Sequence, residues 1–422
     1  MLPALNYACA MPSAHEHGSG PLAGLRVLEI ASLAPAPFAC TVLADLGAEV
    51  LRIDRAPAPV KKDEREQPQP ELQPRLRQDP SSTAQTPAVD PLTRGRRSIA
   101  VDLKRPVGAE MVLRLAEQAD VLIEGFRPGV CERLGIGPEP CLARNPRLIY
   151  ARMTGYGQDG PLAQRAGHDI NYLAIAGALE PLGPASGPPL PPLNYVADFG
   201  GGGMLLVVGV LAALWERDRS GAGQVVDAAM VDGTALLTSV LHTLRGAGLW
   251  DDRRGRNLFD GSAPFYAAYE CSDGRFIAVG ALEPQFWAEL LDGLGVPDAT
   301  ELVRRQHDRD AWPEVQERLA AIFLTRTRDE WSAQFADSDA CVTPVLGPFE
   351  AHAHPHNVAR GTFIDVDGQW PQPGPAPRLS RTPGRAASPL SPVAGQDADE
   401  ALGEWGLAFE DIGRFMADGA FG

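Results

Sequence analysis

Leu25-Arg-Val-Leu-Glu-Ile30 leads into Ala31-Ser-Leu-Ala-Pro-Ala-Pro37, then Phe38-Ala-Cys-Thr-Val-Leu-Ala-Asp-Leu46, then Gly47-Ala-Glu-Val-Leu-Arg-Ile-Asp54. The run Leu25 to Ile30 has the apolar content of a buried strand, Pro35 to Leu46 reads as a helix, and Val50 to Ile53 as a second strand. Two strands joined by a crossover helix make a βαβ opening, which requires a parallel pair. Asp54 ends the second strand where a dinucleotide fold places its ribose acid. The first turn nevertheless lacks the G-x-G-x-x-G glycines, so Rossmann-like topology follows and nicotinamide binding does not.

Further strand-like runs lie at Ser98 to Val101, Val121 to Ile123 and Leu148 to Met153, with helical patterns between them. That alternation predicts an α/β large domain, with an open, largely parallel sheet covered on both faces. Gly200 to Trp215 is continuously apolar and predicts a long buried helix with Asp198 at its start. From Tyr266 to Val279, two alternating runs flank Ser272-Asp-Gly274, the composition of a tight hairpin, and helical segments follow to about Phe335. These predict a smaller α+β domain. The chain thus divides into a disordered leader over 1–20, a large domain over 21–230, a small domain with its linker over 231–350, and a return segment and tail over 351–422. Residues 56–92, crowded with Pro, Gln, Glu, Asp and Lys, read as a mobile insertion in the large domain, and the Pro-rich stretch 371–393 as a surface tail.

A chain of 422 residues, 44% of them hydrophobic, can bury a substantial core. Its net charge of -16 argues against nucleic-acid and anionic-membrane partners, so an anionic ligand must meet a local basic cluster. The six cysteines are scattered without a C-x-x-C pair, and no metal site or disulfide framework is expected. No basic, apolar leader and no run of roughly 20 apolar residues is apparent, which places the protein in the cytoplasm, away from membranes.

Three places carry candidate chemistry. Ala166-Gly-His-Asp-Ile-Asn-Tyr172 sets a histidine beside an aspartate before a helical run, in a chain with eight histidines. Val196-Ala-Asp-Phe-Gly-Gly-Gly-Gly-Met204 puts Asp198 before four glycines. Aspartate there suits an N-cap. The glycines, each costing a helix about 1 kcal/mol relative to alanine, suit a ligand that approaches the backbone closely. Glu283, in Val279-Gly-Ala-Leu-Glu-Pro-Gln-Phe286, stands between a strand-like run and a helix, where it can also favour the helix dipole.

With these segments and with Gly24-Leu-Arg-Val-Leu-Glu29, Asp45-Leu-Gly-Ala-Glu-Val50, Val121-Leu-Ile-Glu-Gly-Phe-Arg-Pro-Gly129, Arg152-Met-Thr-Gly-Tyr-Gly157 and Ser338-Asp-Ala-Cys-Val-Thr-Pro344, the chain resembles the α-methylacyl-CoA racemases, a branch of the family III CoA transferases. The resemblance runs from about Pro21 to Arg55 and from about Pro91 to Ser380. It implies racemisation at C2 of a 2-methylacyl-CoA through an enolate, with His168 and Asp198 as the acid/base pair and Glu283 holding the histidine's tautomer. It also implies that Asp169, Tyr172, Gly200 and Gly201 line the substrate, and that Arg55, Arg94, Lys104, Arg127 and Arg133, in the large, CoA-binding domain, hold or adjoin the adenosine phosphates of coenzyme A. The expected assembly is an interlocked homodimer in which Glu283 reaches His168 from the partner subunit.

The chemistry accounts for the set. Inversion by proton transfer needs a base on one face of the carbon and an acid on the other, each within about 3 Å of the proton. The thioester delocalises the resulting charge, so no metal or redox cofactor is required, and coenzyme A enters only as part of the substrate. An imidazole near pKa 6.5 serves directly, whereas a carboxylate near 3.9 has to be raised by burial, as expected of Asp198. The rival reading is a CoA transferase forming an aspartyl anhydride at Asp169, although such transferases generally carry a non-basic residue where His168 stands. A non-catalytic CoA-binding subunit is a second rival, disfavoured by the intact acid/base set.

Overall fold

The computed structural model describes residues 20–56, 90–365, 370–386 and 393–421. Nearly all of the expected leader, most of the 56–92 insertion and part of the 371–393 stretch lie outside the described residues. The chain forms two compact units. One contains the residues up to Ala166, Asp198–Gly233 and those from Gly361 onward; the other contains Gly167–Ala197 and Thr234–Arg360. Gly167–Ala197, which the sequence pattern places in a continuous 21–230 domain, therefore packs with the second unit.

In the first unit, strands β1 (Arg26–Ile30), β2 (Glu49–Arg55), β3 (Arg96–Val101), β4 (Val121–Glu124), β5 (Ile149–Thr154) and β6 (Gln224–Ala229) form one parallel sheet. Their order is β3-β2-β1-β4-β5-β6. Strands β4 and β5 are buried throughout, which explains why they read as unbroken apolar runs without alternation. Helix α1 (Pro35–Asp45) begins with two prolines in its first turn, where a missing N–H costs nothing. It is followed by α2 (Pro106–Ala116), α3 (Val130–Arg133) and α4 (Pro138–Arg144). Strand β6 is not legible in the sequence because it lies at the sheet edge, with Gln224, Val225 and Asp227 exposed in a polar, weakly patterned run.

Helix α5 (Asp169–Ile175) follows His168 in the second unit. The helix expected from Gly200 begins earlier: a π-helical segment spans Tyr195–Met204 and passes into α6 (Leu205–Ser220). Asp198 therefore sits within the first turn and does not cap the helix. The combined 26 residues, Tyr195–Ser220, are long and apolar enough to cross a membrane, with mean hydropathy 1.8 in the most apolar window. This corrects the expectation that no such run exists, which counts the helix only from Gly200. Helix α6 packs on β5 and β6 and against α1, and Leu206, Val207 and Val210 are buried there.

The glycines also have a local explanation. A Cβ on Gly203 would stand 2.6 Å from Phe38 Cδ1 and 2.9 Å from the Pro35 carbonyl oxygen. One on Gly233, in α7 (Met230–Leu237), would stand 1.8 Å from the carbonyl oxygen of Gly201. Close helix packing thus accounts for the missing side chains at Gly203 and Gly233.

The second unit holds α8 (Ser239–Gly246), α9 (Pro284–Gly293) and an antiparallel sheet of β7 (Tyr266–Glu270), β8 (Phe276–Gly280) and β9 (Val342–Pro344). The β7–β8 hairpin stands where Ser272-Asp-Gly274 predicts it; β9, three residues long, leaves too little pattern to read. The core of this unit gathers Phe265, Trp287, Trp312, Phe323 and Trp331. Each indole N–H finds a carbonyl: Trp287 to Leu302 at 3.2 Å, Trp312 to Gln306 at 2.8 Å and Trp331 to Phe323 at 2.8 Å, so the large rings bury no unsatisfied donor. Because only backbone faces Gly233, the Gly233→Ala variant is expected to lose about 3 kcal/mol by overpacking. Urea unfolding of the two proteins measures this.

Candidate active site

Parallel sheets bind ligands beyond the C-terminal ends of their strands, at the point where strand order reverses. Here the reversal lies between β1 and β4: the chain winds outward from β1 through β2 to β3 and then returns to place β4 on the other side of β1. Ser32 follows β1 and Gly125 follows β4, and a Cβ on Gly125 would stand 2.6 Å from Ser32 Oγ. That hydroxyl is shielded from solvent and has no hydrogen-bond partner among the described residues. In the sequence the Ala31–Pro37 turn is notable only for its missing glycines; the serine acquires Gly125 as a neighbour, and its shielded position, only through the fold.

The loop after β4 is held from below. Arg152 of β5 donates from Nε to Glu124 at 2.9 Å and from Nη1 to Glu132 at 2.8 Å, while Glu124 accepts the amide of Phe126 at 2.7 Å. Burial pushes the Glu124 carboxyl above its ordinary range, with the Phe126 amide and Arg152 opposing that shift. The loop so held presents Arg127, which is exposed. Gly129 has φ 82, a left-handed backbone conformation that glycine adopts without strain.

Of the five cations expected at the phosphates, Arg55 ends β2, Lys104 follows β3, Arg127 follows β4, and Arg133 lies on α3. All four are exposed, and among the described residues none makes a side-chain ion pair. Arg94 differs. It is 4% exposed, and its Nε and Nη2 meet the Asp45 carboxylate at 3.1 and 2.5 Å, while Nη1 donates to the Pro373 carbonyl at 2.9 Å. The expectation is corrected for this residue: a guanidinium so engaged joins α1 to the C-terminal segment and has no face left for a phosphate.

In the second unit, His168 is exposed at the N-terminus of α5, and its amide donates to Asn171 Oδ1 at 3.0 Å. Asp169 beside it is buried, and its Oδ2 accepts the amide of Ala197 at 2.8 Å. Tyr172 is buried as well and donates its hydroxyl to the Gly167 carbonyl at 2.5 Å. Two of the expected substrate contacts thus have internal duties that the linear motif does not reveal. In the first unit, Gly201 is buried against Gly233, and Gly200 and Asp198 are half-buried.

Glu283 is exposed at the start of α9, with extended backbone, and its charge is felt at Cys341, whose thiol is raised chiefly by burial and then by Glu283. Among the described residues no hydrogen bond or ion pair joins Glu283 to His168 within one chain. An open cavity of about 520 Å³, lined by Glu180, Ala185 and residues 252–256, contains none of the predicted residues. Its arginines are matched by Asp251, Asp310 and Glu180, so it offers no surplus charge.

The sequence profile of CoA-transferase family III matches residues 22–398. The chain belongs to CoA-transferase family III. An α-methylacyl-CoA racemase of Mus musculus is 46% identical over 94% of this chain and 96% of its own length. The α-methylacyl-CoA racemase of Homo sapiens is 44% identical over the same shares. The solved structure of a CAIB/BAIF family protein from Brucella suis superposes with a TM-score of 0.74 at 27% identity, covering 92% of this chain and all of that one. The family III fold therefore extends over both units and not merely the βαβ opening.

The contrast between exposed and buried cations is testable. Replacing Arg127 by alanine is expected to weaken acyl-CoA binding by about 1.5–3 kcal/mol, the range for a hydrogen bond to a charged group, with thermal stability unchanged. Arg94→Met is expected to cost about 3–5 kcal/mol of stability by stranding Asp45. Calorimetric titration with coenzyme A and a thermal melt of each variant separate the two effects.

Proposed function

We propose that the chain is an acyl-CoA racemase that inverts C2 of 2-methylacyl-CoA thioesters by removing the proton from one face and returning it to the other. One geometric observation carries this reading over a CoA transferase. The histidine at 168 is offered to solvent, while the neighbouring Asp169, which would have to attack a thioester, is buried and accepts a backbone amide. The names and near-complete coverage of the mouse and human relatives support the same reading.

In this mechanism His168 and Asp198 face C2 from opposite sides. A neutral imidazole takes the proton of one enantiomer and a protonated carboxyl returns one to the opposite face; the roles exchange in the reverse direction. The thioester carbonyl carries the negative charge between the two transfers, and backbone amides stabilise it more strongly in a site shielded from water. Arg55, Lys104, Arg127 and Arg133 supply the local positive charge that a strongly acidic protein needs to gather a phosphorylated substrate.

The working form is a homodimer in which Glu283 of the partner subunit orients His168. Its support is an apolar surface that a monomer leaves wet: α8 buries no residue, and Leu236, Leu237 and Val240 are 61%, 49% and 49% exposed. The five described cysteines are free, in keeping with a cytoplasmic enzyme.

Incubating a (2R)-2-methylacyl-CoA with the enzyme in D₂O tests the reaction. Deuterium at C2 accompanied by epimerisation is expected. Coenzyme A transfer to a free acid without deuteration would instead identify a transferase. In the same assay His168→Ala and Asp198→Ala should each lower the rate about 10²–10⁴-fold, the usual contribution of a positioned acid or base. Sedimentation at micromolar concentration should give twice the chain mass, and a monomer would overturn the shared-site assembly.

A further inference from the structure

We propose that Asp169 is a positioning residue whose carboxylate ties the segment bearing His168 to the segment bearing Asp198. The proposal rests on the racemase reading and assigns a task to a residue that performs neither proton transfer in it. Asp169 is 5% exposed and opens α5 directly after His168. Its Oδ2 accepts the amide of Ala197 at 2.8 Å, and Ala197, itself fully buried, is bonded covalently to Asp198. The two reacting side chains are far apart in sequence, yet each is one residue from an end of this hydrogen bond.

The neighbouring bonds brace the same turn. The amide of His168 donates to Asn171 Oδ1, and the buried Tyr172 hydroxyl donates to the carbonyl of Gly167. Residue 168 is thus held from before and after, while Asp169 carries the connection onward to residue 197. This matters because inversion fails unless both groups reach one carbon together, each within hydrogen-bond range of its hydrogen. A tie between their backbones limits how far the two can drift apart. The carboxylate needs only an acceptor oxygen for that task, not its nucleophilicity and not its charge.

The two replacements Asp169→Asn and Asp169→Ala separate these roles, because the amide keeps an acceptor oxygen and the methyl group does not. Both variants are assayed in D₂O with each enantiomer of a 2-methylacyl-CoA, scoring deuterium incorporation and epimerisation separately. For D169A we expect kcat for epimerisation to fall about 100-fold with KM changed less than about threefold, the signature of misplaced reacting groups. Its ratio of deuterium incorporation to epimerisation should rise, because one group still exchanges the hydrogen on its own face. For D169N we expect activity within about tenfold of the wild type, together with the wild-type ratio, since the tie remains.

A D169A variant whose two activities fall in step, with the wild-type ratio, overturns the tie and leaves a purely structural residue. A D169N variant as inactive as D169A, in a wild type that passes coenzyme A to free acids, overturns it in favour of a nucleophile. A wild type that exchanges no C2 hydrogen overturns the racemase reading, and the tie with it; an active wild type accompanied by either of the first two results overturns the tie alone.

Discussion

One guanidinium, sealed from water, organises the front of the large unit. Arg96 is fully buried and meets Glu29, also fully buried, at 2.6 Å, while its remaining nitrogens reach Thr41 Oγ1 and the carbonyls of Arg94 and Pro37. That single side chain therefore joins β1 and β3 to the opening turns of α1. Burying such a pair is expensive, and removing either partner would leave an uncompensated charge, so the arrangement holds only if every donor is answered. The same cluster keeps the thiol of Cys40 well above its ordinary value, first through burial and then through the charge of Glu29. The group is inert, and its service is to hold the βαβ opening in one geometry.

That geometry divides labour among arginines that look alike in sequence. Arg94 and Arg96 turn inward and tie helix to sheet, whereas Arg55, Arg127 and Arg133 are exposed at the surface. Inward guanidiniums are matched by carboxylates because the interior does not tolerate unpaired charge. Outward ones remain available to an anion. The chain's net charge of -16 makes this small surplus valuable, since a diffuse field would repel a phosphorylated ligand.

A comparable division separates His168 from Asp169. Adjacent residues at a helix start point in different directions, so one faces solvent and the other the interior. The aspartate's hydrogen bond to the Ala197 amide accompanies its inward turn, while the histidine stays at the surface. Glycines show the same shift in meaning. Gly200 to Gly203 suggest, in sequence, a ligand pressed against backbone, and in the fold Phe38 and the helix carrying Gly233 press there. A missing side chain records that something comes close without recording what.

The sequence by itself determined the parallel α/β sheet, the β7–β8 hairpin and the family's motifs around His168, Asp198 and Glu283, because periodicity, turn composition and short motifs are local properties. It also announced a basic requirement, since net charge needs no coordinates. Tertiary structure alone decided which arginines are free, why Gly203 and Gly233 carry no side chain, that Ser32 is a shielded hydroxyl, and that Gly167–Ala197 packs with the second unit. It alone revealed β6 and β9 too, an exposed edge and a three-residue strand whose hydrogen bonds come from distant partners. The reason is common to all of these: burial and pairing depend on residues dozens or hundreds of positions away, and no local pattern encodes that neighbour.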